Sequence, residues 1–145
     1  MKIERVVTGY LEENCYILTM DKESLVIDPG DDYDLINEKL KDTKVLAVLL
    51  THSHFDHVGA LNDVVSNYNI KVYSANNLEE KEYKFHNFIF KVIDTPGHSS
   101  DSVTFYFEKE KVMFTGDFLF KGNIGRCDLP TGSWSSMQNS LKKIK

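Results

Sequence analysis

The chain has 145 residues, 41% of them hydrophobic and 27% charged, with 17 Lys and Arg against 22 Asp and Glu for a net charge of −5. That balance is the one of an ordinary soluble globular protein, and the length suits one domain able to bury about two-thirds of its unfolded surface. Mixed charges exclude a basic, phosphate-tracking face, and no apolar run approaches the roughly 20 residues that span a bilayer. The amino terminus lacks the basic-then-apolar pattern of a secretory signal, so the expectation is a cytoplasmic protein with neither nucleic acid nor membrane as a partner.

In chain order, Ile3 to Thr8, Cys15 to Thr19 and Leu25 to Asp28 are short runs rich in β-branched and aromatic residues. Gly9, Asn14 and the Asp21-Lys-Glu turn separate them, which predicts an antiparallel meander ended by Pro29-Gly30. A helix over Tyr33 to Lys41 has Tyr33, Ile36 and Leu40 at helical spacing and Asp31 or Asp32 as its cap. Val45 to Leu50 shows no polar alternation and predicts a strand buried on both faces. Val58, Leu61, Val64, Val65 and Tyr68 recur at three-to-four spacing, the mark of a second amphipathic helix. Strands follow at Lys71 to Ser74, Phe88 to Ile93, Ser102 to Phe107 and Lys111 to Phe114, while Ala75 to Lys81 is too polar and short to assign. A last helix, Ser133 to Ile144, takes Ser133 or Ser135 as its cap. No repeat, low-complexity run or linker divides the chain. Strands interleaved with helices give an α/β or α+β class with helices packed outside sheets. The two cysteines, Cys15 and Cys127, lack Cys-x-x-Cys spacing; Cys15 reads as a small core hydrophobe and Cys127 as an inert thiol, with a reactive thiol after the Gly125-Arg126 turn as the alternative.

Chemistry concentrates after the Val45–Leu50 run. His52, His54, Asp56 and His57 fall within six residues of a chain that has only five His. Imidazole nitrogen and carboxylate oxygen are ligands for zinc, iron and manganese, and a loop leaving a rigid strand can aim several of them at one point. By strand alternation His52 and His54 share one side while Asp56 and His57 diverge, which suggests two neighbouring metal positions. Solvated or capping histidines are the competing reading, and the density of ligands argues against it. His86, in Lys84-Phe-His-Asn, reads as a strand-face histidine outside any motif.

His52-Ser-His54-Phe-Asp56-His57, the later Thr95-Pro-Gly-His98-Ser and Phe114-Thr-Gly-Asp117-Phe-Leu-Phe resemble, in order and approximate spacing, the three metal-binding motifs of the metallo-β-lactamase-fold hydrolases. Lys121-Gly-Asn-Ile-Gly-Arg126-Cys-Asp-Leu-Pro130 is similar to the segment after the bridging aspartate in their glyoxalase II-like (hydroxyacylglutathione hydrolase-like) branch. The resemblance runs from Ile3 to the end of the chain. It implies an α+β fold, the αβ/βα sandwich in which two β-sheets face each other between outer helices. It also implies that His52, His54 and His98 hold a first metal, that Asp56 and His57 contribute to a second, and that Asp117 bridges both. Two zinc ions are expected, with iron or manganese as alternatives, and Asp56 and Asp117 are the carboxylates expected in catalysis. Taken singly, His98 reads equally as a turn histidine after Pro96-Gly97, and Asp117 as a strand-end carboxylate after Gly116. Gly59, Gly97 and Gly116 stand where the backbone passes close to the metals or turns sharply. Lys121 and Arg126 are the nearby cations that could meet a substrate carboxylate, although Arg126 could as well pair with Asp128.

The function this implies is hydrolysis of a small thioester or ester by a metal-bound hydroxide, with a thiolate leaving group that needs little acid assistance. A mononuclear iron persulfide dioxygenase, with His52, His98 and Asp117 as ligands, is the alternative; it leaves His54, Asp56 and His57 unexplained. A truncated metal-binding module with little activity is the third reading. Two departures from the family pattern motivate it. The stretch from Lys71 to Phe88 is short, and the chain stops at Lys145 before the Gly-His-Gly-like segment that carries the family's final second-site histidine and before the closing elements of the fold. On that reading the second site has one protein ligand fewer and exposed apolar surface favours a homo-oligomer.

Overall fold

The structure is a computed structural model that describes residues 1–144, Lys145 lying outside them. It divides into two units, Met1–Tyr73 and Ser74 onward.

In the first unit, β1 (Lys2–Thr8), β2 (Glu13–Met20) and β3 (Glu23–Ile27) form the antiparallel meander that the sequence predicts. β4 (Lys44–Leu49) and β5 (Lys71–Tyr73) then add in parallel, giving one five-stranded sheet in the order β1-β2-β3-β4-β5. Parallel neighbours need crossovers, and these are α1 (Tyr33–Leu40) and α2 (Leu61–Tyr68). Each helix has only eight residues, too few to be stable alone in water, so packing holds them. Ile36, Leu40 and Val64 are fully buried against Val6, Cys15, Ile17, Val26, Val45 and Val48, and burial of each such aliphatic side chain is worth about 1.5–3 kcal/mol. Ala47 and Leu49 are buried as well as Val48 and Leu50, so the unalternating run Val45 to Leu50 is covered on both faces.

Two local expectations are corrected here. Neither Asp31 nor Asp32 caps α1 through its side chain: Asp32 occupies the cap position in a left-handed conformation, φ 49°, and its carboxylate instead accepts from Gly9 N at 2.8 Å. Val58 lies outside α2. It closes a separate 3-10 turn, Phe55–His57, by donating to Phe55 O, because the ligand-bearing loop must end before α2 begins.

The second unit is built on an antiparallel sheet of β6 (Glu82–Phe85), β7 (Phe88–Asp94), β8 (Val103–Phe107) and β9 (Val112–Phe114). Phe90 is at the centre of its core, with ring centroids 5.8 Å from Phe105, 5.3 Å from Phe107 and 5.9 Å from Tyr83. Such pairs add to the burial they share. Strand β6 went unassigned in the sequence, and it moves His86 out of a strand: Phe85 pairs with Phe88, leaving His86-Asn87 as the turn, with His86 at φ 54°. A short hairpin, β10 (Leu119–Phe120) with β11 (Asn123–Ile124), precedes α3 (Trp134–Lys143). Ser133 caps α3 as predicted, its hydroxyl accepting from Ser136 N at 3.2 Å. Among the described residues no helix is long and apolar enough to cross a membrane.

Candidate metal centre

Each unit carries part of the expected ligand set. In the first, β4 ends at Leu49 and residues 50–57 leave it as a loop closed by the 3-10 turn. This packs the His52 ring 4.7 Å from His54 and 4.2 Å from His57, centroid to centroid. His52 and His57 are buried, His54 and Asp56 partly so.

What orients the two buried rings is a residue that the motifs do not include. Asp28, buried just beyond β3, accepts from Thr51 N at 2.8 Å, from the Thr51 hydroxyl, and from His57 Nδ1 at 2.9 Å. The Thr51 hydroxyl has one proton, which goes to Asp28, so towards His52 Nδ1 at 3.1 Å it acts as acceptor. Both rings therefore carry their proton on Nδ1 and present the lone pair of Nε2. Asp28, His52 and His57 place ligand-type atoms within 4.8 Å of one another. With its oxygens engaged in this way, Asp28 orients the imidazoles rather than competing with them.

Glu13 was also missed. It is buried beside His57, its Oε1 3.3 Å from Nδ1, and its Oε2 accepts from the Thr8 hydroxyl at 2.8 Å. Burial raises its carboxyl to a pKa of about 8, against the opposing pull of His57. Burial likewise pushes the Cys15 thiol well above its usual range, in keeping with an inert core position.

In the second unit, His98 leaves β7 through the Thr95-Pro96-Gly97 turn and Asp117 follows β9. His98 Nδ1 lies 2.9 Å from Arg126 O. A carbonyl only accepts, so this ring too has its proton on Nδ1 and its lone pair on Nε2. Gly97 has φ 151° and faces α3, where an added Cβ would meet Met137 Cα at 2.6 Å, so the close approach seen here is to a helix. At Gly125 a Cβ would fall 1.6 Å from Asp117 O and 3.3 Å from His98 Cβ. Only glycine lets this strand of backbone lie under both residues.

The donors fit a cation. His57 Nε2 and Asp56 Oδ2 stand 3.6 Å apart, as do His98 Nε2 and Asp117 Oδ2. These gaps are too long for hydrogen bonds. They resemble the roughly 3.4 Å between two ligands of a tetrahedral ion with metal–ligand bonds of about 2.0–2.2 Å. Nε2 of both His52 and His57 is shielded from water, where a lone pair is costly unless a donor or cation meets it.

The structure leaves both candidate substrate cations exposed. Lys121 is exposed in the β10–β11 turn. The Arg126 guanidinium forms a fork on Asp128, with bonds of 2.7 and 2.8 Å, and lowers that carboxyl to a pKa of about 2. Arg126 serves His98 through its carbonyl instead. The Cys127 thiol is directed to Gly125 O at 3.7 Å.

Known proteins resemble this chain in sequence and fold. The hydroxyacylglutathione hydrolase GloC of Haemophilus influenzae is 27% identical, over 98% of this chain and 83% of its own. Among solved structures, the BLEG-1 B3 metallo-beta-lactamase is 33% identical with a TM-score of 0.91, over 97% of this chain and 84% of that one. TTHA1623 in a di-iron-bound form is also 33% identical, with a TM-score of 0.85 over 97% and 85%. The mixed α/β fold is thus the metallo-β-lactamase type, in a chain shorter than these relatives. A model of the metallo-beta-lactamase superfamily matches residues 8–81 and 74–145, and the chain belongs to that superfamily of metal-binding hydrolases.

Proposed function

We propose that the chain hydrolyses small acyl thioesters at a two-metal centre, with zinc as the working metal. His52, His54 and His98 would hold the first ion, Asp56 and His57 the second, and Asp117 both. The observation that carries this reading is the repeated arrangement of an anchored imidazole with a carboxylate 3.6 Å from its Nε2, found once in each unit. Similarity to a hydroxyacylglutathione hydrolase supports the substrate class.

When bound, the ions would supply an ionised water at neutral pH and a Lewis acid for the acyl carbonyl. The chain's own residues do the positioning. Asp28 and Thr51 hold His52 and His57 with Nε2 forward, and the Arg126 carbonyl does the same for His98. Fixing these tautomers in the protein removes a reorientation step from metal capture. A thiolate leaves without a strong general acid, which suits a site whose Arg126 is tied to Asp128.

Metal analysis of the purified chain, with turnover of thioesters, tests the reading. Two zinc per chain are expected, with hydrolysis rising through neutral pH. His98→Ala should lose tight zinc binding, and Asp117→Ala should cut turnover at least about 100-fold. One iron per chain with persulfide oxidation, or preferential cleavage of a β-lactam, would overturn it.

A further inference from the structure

The metal loop has a second face. A cleft of about 300 Å³ opens in the first unit between the tip of the β1–β2 hairpin and the 3-10 turn, lined by residues 8–11, 30–31, 55–56 and 59. Its side walls are Tyr10, Leu11 and Phe55, which are 89%, 52% and 71% exposed. Three large apolar side chains left in water around one cleft call for a ligand, because their exposure contributes nothing to the fold.

The floor is rigid. An added Cβ at Gly30 would meet Asp56 O at 2.1 Å, and one at Gly59 would meet Gly30 O at 2.0 Å, so bare backbone packs on bare backbone there. The hairpin tip is held too: Gly9 N donates to Asp32 at 2.8 Å and Glu12 N to Gly9 O at 3.2 Å. The cleft is therefore preformed, at the lower end of the roughly 300–1,000 Å³ range of small-molecule sites. The only charged residues that line it are Asp31 and Asp56; no Lys or Arg does. Asp56 is also the residue assigned above to the second ion, so on that reading the cleft adjoins the metal centre.

We infer that this cleft receives the acyl group of the substrate, and that the acyl group is small, apolar and uncharged. The inference rests on the thioester reading and deepens it. Apolar contact with Tyr10, Leu11 and Phe55 favours a short hydrocarbon or aromatic acyl chain. Asp31 disfavours a carboxylate at the far end of that chain, since like charges would meet at a surface with no compensating cation. A group much larger than the cleft, such as a whole peptide-like thiol carrier, does not fit there.

Thioesters of one small neutral thiol, N-acetylcysteamine, test this on the zinc-loaded chain. Acetyl, hexanoyl, butanoyl and succinyl esters vary the acyl size and charge while the carrier stays constant. The expected result is a kcat/KM at least about tenfold higher for hexanoyl than for acetyl, since each buried methylene is worth up to about fourfold. Succinyl should fall at least about tenfold below butanoyl. The double variant Leu11→Ala, Phe55→Ala should collapse the hexanoyl-to-acetyl ratio towards one, and Asp31→Asn should narrow the succinyl gap. Both changes are at exposed positions, so folding is preserved. Equal rates across the acyl series, or ratios unmoved by these variants, would overturn the inference while leaving the thioester reading intact. A chain that hydrolyses none of the esters would overturn that reading. In that case amide shift changes on adding the unhydrolysable hexyl thioether of the same thiol decide the cleft: changes confined to residues 8–11 and 55–59 support it, and their absence refutes it.

Discussion

The two parts of the ligand set are held by different kinds of atom. In the first unit, side chains hold side chains: Asp28 grips His57 directly and His52 through Thr51. In the second, backbone does the work, with the Arg126 carbonyl on His98 and the glycine path of residue 125 beneath Asp117. A side-chain brace fails when its own residue is replaced. A backbone brace is indifferent to the side chain it hangs from and fails only when the path of the chain is blocked.

Blocking that path should have the largest effect. In Gly125→Ala the new Cβ would stand 1.6 Å from Asp117 O, and no side chain can move aside to admit it. We expect a loss of about 4 kcal/mol or more, read by chemical denaturation, with zinc binding lost in parallel. Normal stability and metal content in this variant would break the comparison on its second limb.

Asp28→Ala comes next. It strands Thr51 N, the Thr51 hydroxyl and the His57 Nδ1 proton in a buried place, a cost of about 2–4 kcal/mol. Zinc affinity, measured by competition with a chelator, should drop about 10–100-fold. An affinity equal to that of the parent chain would mean that Asp28 braces only the fold.

The smallest effect is expected at Arg126→Ala, although Arg126 was the more conspicuous residue in the sequence. Its carbonyl survives the change, so zinc affinity should stay within about twofold, as for the loss of other exposed ion pairs. Only the partner should respond. Asp128, held at a pKa of about 2 by the guanidinium, should return towards its ordinary value of 3.8, as followed by carboxyl resonances across a pH titration. A folded-state pKa below the unfolded one means that the fork favours folding above pH 3.8 and ceases to do so as pH falls through about 2.

Most of the first sheet was legible in the chain because its strands are β-branched runs ended by Gly, Asn or Asp. Strand β6 was not, because Glu82-Tyr-Lys-Phe85 continues the polar stretch before it; yet its period-two alternation, with Tyr83 and Phe85 half-buried, was there to be counted. The hairpin of β10 and β11 has two residues per strand, too few to show any period. Of the site, the expected ligands announced themselves by type and spacing, since His and Asp seldom crowd by chance. Asp28 did not, because a lone Asp after a strand and before Pro-Gly looks like turn chemistry. The one available signal was its place as the first polar residue after Leu25-Val-Ile27. Glu13 offered none, for nothing in Glu12-Glu13-Asn14 distinguishes the glutamate that is buried from the one that is exposed.

Helix α3 has a bearing on the ligand turn that its distance in sequence conceals. Ser140 donates to Pro96 O at 2.7 Å, Ser133 N to Gly97 O at 2.8 Å, and Met137 packs on Gly97, so the two residues preceding His98 are fastened to three turns of one helix. Fraying of α3 and loosening of His98 are then a single local opening event. Whatever ion engages His98 must slow deuterium uptake by the α3 amides in proportion to its own affinity, and a protease that nicks the helix must compete with that ion for the opened state.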